Sequence, residues 1–383
     1  MDFDLSEEQS MLKDGLDRML ANEYGFESRR KHMAEPEGYS QAMWERYAEM
    51  GLMMLPFAEG DGGLGGGAED IMLVMESFGR ALVLEPWFAT VVLGGGFVRE
   101  GGSDAQRGGL VPAIADGSLK LAFAHVERHA RYDLAHVETT ATKQGDAYVL
   151  NGAKSIVLNG DCADKIFVSA RISGDVRDED GLCVFLVDAD AAGLSRRGYR
   201  LQDGTRAADV TLENVTVDAS RLFGPEGGAF PLIAKVTDQA IAALCAEAVG
   251  IMETMETLTV DYLKTRKQFG VEIAKFQVLQ HAAVDMFIAL EQARSITMYA
   301  TMMADSDDAQ ERGRAISAAK AEIGRGGRLA GENAIQLHGG VGMTMEYAIG
   351  HYFKRITMID ILFGDTDHHL AKLTAQGGLF EAA

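Results

Sequence analysis

Basic residues are in short supply: 36 Lys and Arg stand against 57 Asp and Glu, a formal charge of -21 over 383 residues. That excess of one sign excludes general binding to nucleic acid, whose phosphate backbone it would repel. An anionic small molecule is not excluded, because it needs only a local cationic patch. Cysteine is scarce as well. Cys162, Cys183 and Cys245 lie far apart in apolar or small-residue surroundings, which excludes a disulfide framework or a zinc-ligand set and reads as reduced core residues. No uninterrupted apolar run reaches the ~20 residues of a membrane span. The opening MDFDLSEEQ is acidic where a signal peptide is basic. The expectation is a soluble, cytoplasmic protein, long enough to bury a large core divided into two or three structural units.

Against these absences stands a change of period along the chain. Residues 1–117 read as helical: Ser6 and Gln9 make a capping box, and Leu12, Leu16, Met19 and Leu20 fall on one face. Amphipathic pieces follow at Tyr39–Met50, Asp70–Val83 and Ala89–Glu100. Residues 118–225 read as short strands, with Asn151-Gly152 and Asn159-Gly160 as hairpin signals, and therefore as an antiparallel β-domain. Residues 226–383 return to longer helices, Asp238–Arg266, Gln277–Met303 and a small-residue segment Gly313–Ala334, and predict an antiparallel four-helix bundle. The fold class is α+β. Methionines on the helix faces read as core, or as part of an acyl or partner surface. The loop GDGGLGGG (60–67) invites a phosphate-binding reading, but no strand precedes it and no acidic residue follows at dinucleotide spacing. A helix connection is the alternative.

The stretch that organises the rest is YLKTRKQFGVEIAKFQVLQHAAVDM, Tyr262 to Met286. A helix ends there in Lys264, Arg266 and Lys267, breaks at Phe269-Gly270 and restarts near Lys275. Arg266 offers a planar fork suited to phosphate oxygens. The plainer reading is that these cations complement a helix C-terminus, with Gly270 as its left-handed cap.

The R-x-QFG run, its downstream Phe276-Gln277 and Asp285-Met286 pairs, and the segment Gln336-Leu337-His338-Gly339-Gly340-Val341-Gly342 followed by Glu346-Tyr347 resemble the two signatures of the acyl-CoA dehydrogenases. The order helices, β-domain, helix bundle is similar to that family along nearly the whole chain. The resemblance implies an FAD cofactor held by Arg266, Gln268, Phe269, Phe276, Gln277, Gln336, Gly339, Gly340, Asp365 and Asp367, with the adenine end reaching into a neighbouring subunit. It also implies an acyl-CoA substrate, α,β-dehydrogenation to a trans-2-enoyl-CoA with a carboxylate base taking the α-proton, and an electron-transfer flavoprotein as acceptor.

The chain departs from the family pattern where the chemistry belongs. Counting from Gly339-Gly340, Phe363 stands at the position of the usual base. The alternative position on the helix after the β-domain aligns with Ala240. Neither accepts a proton. Glu247 and Asp365 are the remaining candidate carboxylates, with an ion pair inside the bundle and a ribose or helix-end contact as their plainer roles. In the β-domain, the family's Y-x-x-T-E-P-x-x-G-S-D aligns with Phe123 to Asp133, losing Thr to Val126, Pro to Arg128 and Ser to Tyr132. Its W-x-T-N-G becomes Ile156-Val157-Leu158-Asn159-Gly160. The residues that would grip the flavin ring are replaced; those for the adenine side are present. This implies a small, catalytically degenerate subunit completed by a larger dehydrogenase subunit in a heterotetramer. A self-associating enzyme with a displaced base and a flavin-free structural subunit are the alternatives. His368 and His369 are adjacent, but point about 100° apart on a helix and make no metal site.

Overall fold

The computed structural model describes residues 5–378; Met1 to Asp4, part of the acidic opening run, and the chain beyond Gly378 lie outside them. In chain order the elements are α1 (Glu7–Glu23), α2 (Phe26–His32), α3 (Gln41–Glu49), α4 (Ala68–Ala81), a π-helical turn Phe88–Gly94 running into α5 (Gly95–Gly101), and α6 (Asp104–Ala115). The strands follow as β1 (Leu121–Ala124), β2 (Thr140–Gln144), β3 (Ala147–Leu158), β4 (Lys165–Arg171), β5 (Leu182–Asp188), β6 (Leu194–Arg200), β7 (Arg206–Asp218) and β8 (Leu222–Phe223). Then come α7 (Phe230–Thr265), β9 (Lys267–Gln268), β10 (Val271–Glu272), α8 (Gln277–Ala304), α9 (Ala309–His338), α10 (Ile349–Ile361) and α11 (Thr366–Ala375). Helices, sheet, helices is the predicted α+β order. The elements gather into two compact units that cut across those stretches: one holds α1, α4 and the helices from Ile241 onward, the other α3, α5, α6 and the sheet.

In the helical unit, α1 opens with the expected capping box: the Gln9 amide donates to Ser6 Oγ at 3.1 Å and the Ser6 amide to Gln9 Oε1 at 3.1 Å. Leu16, Met19 and Leu20 are its buried stripe. Helices α4 and α7 cross at a pair of glycines. A Cβ on Gly79 would overlap the Glu247 carbonyl, and one on Gly250 the Glu76 carbonyl, so the two backbones touch. The small residues of α9 do the same for α10: a Cβ on Gly327 would lie 2.6 Å from Ile356 Cγ1. Met252, Met255 and Met286 are core, while Met343 and Met345 are 76% and 52% exposed.

In the sheet unit the strand order is β6-β7-β3-β2-β4-β5-β8, with β1 also on β4. Tyr148, Leu150, Ile166, Val168, Phe185, Val187 and Val210 form its core. The sheet departs from the sequence expectation in two ways. It is mixed: β1 and β2 both pair with β4 in parallel. And neither Asn-Gly pair makes a hairpin. β3 runs straight through Asn151-Gly152 with a register shift there, and glycine is required because any Cβ would collide with Thr139. Asn159, at φ 51°, turns the chain out of β3, which β4 does not pair with.

Because backbone carbonyls cannot move aside as a flexible side chain can, Gly250→Ala is expected to cost ~1–3 kcal/mol in urea denaturation. Gly108→Ala, in α6 where nothing lies within 4 Å of the added carbon, is expected to be neutral or stabilising by ~0.4–1 kcal/mol.

Candidate functional site

α7 ends at Thr265, and Arg266 follows with its amide on the Tyr262 carbonyl at 2.8 Å. β9 and β10 pair Gln268 with Val271, so Phe269 and Gly270 form a two-residue turn, both at positive φ (56° and 80°) as a tight hairpin of primed type demands. This turn lifts Phe269 into solvent, 91% exposed, with Phe276 edge-on at 6.1 Å as its ring contact. Phe276 is the residue before α8, and Gln277 its exposed first residue. Among the cations, Lys267 lies 3.7 Å from Glu272. The Arg266 guanidinium is exposed and makes no hydrogen bond or ion pair among the described residues.

The second signature sits at the end of α9. Gln336 is exposed on the last turn, Gly339 takes φ 60°, and a Cβ on either Gly339 or Gly340 would meet nothing within 4 Å. These two glycines are therefore not needed for packing within the chain. One histidine joins the signatures: the buried His338 ring lies 4.5 Å from Tyr262 and 5.0 Å from Tyr347. Its Nδ1 is 2.8 Å from the Ala334 carbonyl, and burial lowers its pKa. So the R-x-QFG and Q-x-x-GG-x-G segments are brought to one end of the helical unit.

The segment aligned with the usual base is the turn between α10 and α11. Phe363 has φ 58° and Gly364 φ 115°. The turn is pinned from below by the buried Lys320, whose Nζ donates to the carbonyls of Asp360 at 2.7 Å and Gly364 at 2.5 Å. His369 Nε2 lies 3.2 Å from the Phe363 carbonyl and Nδ1 3.2 Å from Ser317 Oγ. Burial lowers Lys320 to about 8 and His369 to about 3. His369 is thus a neutral, buried turn anchor; among the described residues no metal-binding group of three forms around the histidine pair.

Both candidate bases take their plainer roles. Glu247 is buried and held bidentately by Arg355, at 2.6 and 2.7 Å, so both oxygens are committed to an ion pair within the bundle. Asp365 caps α11, accepting from the His368 amide at 2.9 Å; Asp367 is exposed two residues on. Ala240 is fully buried. The glycine-rich loop 60–67 is a helix connection: amides from Asp61 to Gly66 donate to carbonyls between Met54 and Glu59, leaving none of them for a phosphate.

In the sheet unit, Glu127 belongs to a buried network that sequence reasoning missed. Its carboxylate takes Lys154 Nζ at 2.7 Å, the Thr139 hydroxyl at 2.6 Å and the Glu138 amide at 2.6 Å. Lys154 also donates to Ser169 Oγ at 3.0 Å, and His125 Nδ1 is 2.8 Å from that oxygen. The signal was a lone lysine inside a strand-like run. Burial lowers Lys154 to about 8 and His125 to about 3. Ile156, aligned with the aromatic wall, is 45% exposed at φ 53°.

Models of three acyl-CoA dehydrogenase domains match the chain in sequence: the N-terminal domain over 6–118, the middle domain over 122–215 and the C-terminal domain over 230–377. An acyl-CoA dehydrogenase of Mycobacterium tuberculosis is 30% identical over 90% of this chain and 89% of its own. The chain belongs to the acyl-CoA dehydrogenase family. The short-chain enzyme of Clostridium acetobutylicum is 27% identical over 99% of this chain and 100% of its own. Among solved structures, the Tcur3481–Tcur3483 steroid acyl-CoA dehydrogenase superposes with a TM-score of 0.88 at 29% identity, 97% of each chain covered. Butyryl-CoA dehydrogenase of Megasphaera elsdenii shares the fold, with a TM-score of 0.85. The family is FAD-dependent. The helical unit of this member fits the adenine and pyrophosphate end, with an unengaged guanidinium and two bare glycines. No helix among its described residues is long and apolar enough to cross a membrane.

Among the buried histidines, His125 and His369 are shifted furthest and set an acid limit. Each binds its proton near pH 6.5 unfolded but near 3 folded, so the unfolded chain holds more protons between those values and stability falls as pH falls. Between pH 6.5 and 5 the expected loss is about 2 kcal/mol per histidine. Urea denaturation at both pH values checks it, and His369→Gln should flatten the dependence by about 2 kcal/mol over that range, leaving the share of the other buried histidines.

Proposed function

We propose that this chain is the small, catalytically degenerate subunit of a heteromeric FAD-dependent acyl-CoA dehydrogenase, completing a flavin site whose catalytic half belongs to a larger partner subunit. The observation that carries the reading is Phe363: a turn held in shape by Lys320 and His369 presents an aromatic ring at the position aligned with the base. Neither remaining carboxylate is disposed to replace it. Arg266 and the amides and open backbone around Gly339-Gly340 would hold the cofactor's diphosphate. Phe269, Phe276, Gln268, Gln277 and Gln336 would line its adenine end, and Asp365 and Asp367 would stand at its edge. When bound, FAD supplies the hydride acceptor for α,β-dehydrogenation of an acyl-CoA, and an electron-transfer flavoprotein is the onward acceptor. This chain's residues bind and orient, and contribute no proton acceptor.

The pairing reading gains support from the likeness to the Tcur3481–Tcur3483 enzyme, which is itself named as two proteins. The runs FGRALVLEPWFATVVLGGG and LFGDTDHHLAKL most resemble the small subunit of pimeloyl-CoA dehydrogenases, for which a dicarboxylic acyl-CoA is the implied substrate. A ring-bearing acyl-CoA is the substrate class the steroid enzyme suggests. The aliphatic Ile156 and Leu158, in place of an aromatic ring and a hydroxyl, suit a bulky group.

Flavin absorbance with size-exclusion chromatography tests the proposal. The chain alone is expected to be colourless, and its complex with the co-expressed large subunit to carry one FAD per two chains, lost or sharply reduced by Arg266→Ala. A yellow chain that an acyl-CoA bleaches on its own would overturn it.

A further inference from the structure

A second polar site lies wholly within the sheet unit, on residues the dehydrogenase reading does not use. It is a cleft of about 610 Å³ between the turn after β3, strands β6 and β7, and the segment before α3. That volume suits a metabolite-sized ligand. Lys120, Arg196 and Arg206 line it, with Asp161 and Glu37 as the only carboxylates: three cations to two anions, in a chain that carries -21 overall.

One of these cations is paired with one of the carboxylates, and hydrogen-bonding capacity remains on all three. Arg206 Nε is paired with Asp161 Oδ2, which leaves its terminal nitrogens unengaged. Arg196 uses one nitrogen, Nη1, to hold the Gly160 and Ala163 carbonyls at 3.0 and 2.8 Å, leaving the rest of the fork. The Lys120 ammonium has no hydrogen bond or ion pair among the described residues. On the acceptor side, Asp161 Oδ1 is buried without a partner. A buried carboxylate oxygen left unmet costs more than an exposed one, so it calls for a donor from whatever fills the cleft. Tyr39, a largely buried residue, lines the same space, and its hydroxyl makes no hydrogen bond among the described residues; burial raises its pKa, so it remains a donor.

We propose that this cleft binds a small molecule carrying a phosphate next to a free hydroxyl, of the sugar-phosphate class. Lys120, Arg196, Arg206 and the Tyr39 hydroxyl hold the phosphate, and Asp161 Oδ1 accepts from the hydroxyl. Guanidinium forks fit phosphate oxygens in pairs, and the orphaned carboxylate oxygen distinguishes a hydroxylated ligand from a bare anion.

Isothermal titration of the full chain with ribose 5-phosphate, inorganic phosphate and ribose tests it. Ribose 5-phosphate is expected to bind about tenfold more tightly than inorganic phosphate, one charge-assisted hydrogen bond's worth, and ribose not detectably. Lys120→Ala should weaken both phosphates by about five- to tenfold, with recovery in Lys120→Arg. Asp161→Asn should shrink the ratio of ribose 5-phosphate to inorganic phosphate affinity, because the amide is a weaker acceptor than the carboxylate. Should that variant fail to fold, the wild-type ligand comparison and the Lys120 pair decide alone. Absence of saturable binding by either phosphate, equal affinity for the two, or indifference to Lys120→Ala would each overturn the proposal. None of these outcomes bears on the flavin content of the partner complex.

Discussion

Backbone carbonyls that no helix or ladder can satisfy are met in this protein by cationic side chains reaching in from distant elements. Lys320 takes the carbonyls of Asp360 and Gly364. Arg171 takes those of Ala135, Asp178 and Asp180 at 2.7–2.8 Å, tying two loops to the end of β4. Arg29 Nε donates to Leu82 at 2.7 Å, and Arg196 to Gly160 and Ala163. An unmet buried carbonyl costs ~1–3 kcal/mol, so each clamp fixes the turn it holds. Three of those turns contain a non-glycine residue at positive φ: Leu82, Asn159 and Phe363. Such conformations cost of order 1–3 kcal/mol and persist where the surroundings over-determine them.

That dependence explains which parts of the molecule were legible in its sequence. Long helices with apolar residues at 3/4 spacing declared themselves, and so did the break at Phe269-Gly270, because both are local facts. Strands such as β2 and β6 are mostly exposed and lack the alternation that betrays a half-buried strand. Asn151-Gly152 misled because the glycine answers a close approach by Thr139, a residue on another strand's threshold, and not a turn. The parallel pairing of β1 and β2 with β4 is a matter of topology that no local pattern carries.

The site divides along the same line. Its two signatures are contiguous runs, and each appears in the structure as the exposed, cation-bearing or glycine-bare feature that its residue types suggest. The anchors beneath are long-range: Glu247 meets Arg355 108 residues away, Lys320 meets Gly364 44 away, and Lys154 meets Glu127 27 away. A carboxylate read alone looks like a candidate base. Only its partner shows that Glu247 is half of a buried fork, where removing either member leaves an uncompensated charge.

The turn at Phe363 separates fold from chemistry most clearly. A glycine would adopt φ 58° at less cost than a phenylalanine, so the ring is not there to ease the backbone. Lys320, His369 and the Asp365 cap hold the turn through main-chain atoms, and none of these contacts involves the side chain of residue 363. The clamps that shape this turn are therefore available whether an acid or an aromatic ring stands at that point. Membership of the family accordingly fixes the architecture and the kind of cofactor for this protein, whereas the clamps that shape this turn carry no information about the side chain that stands on it.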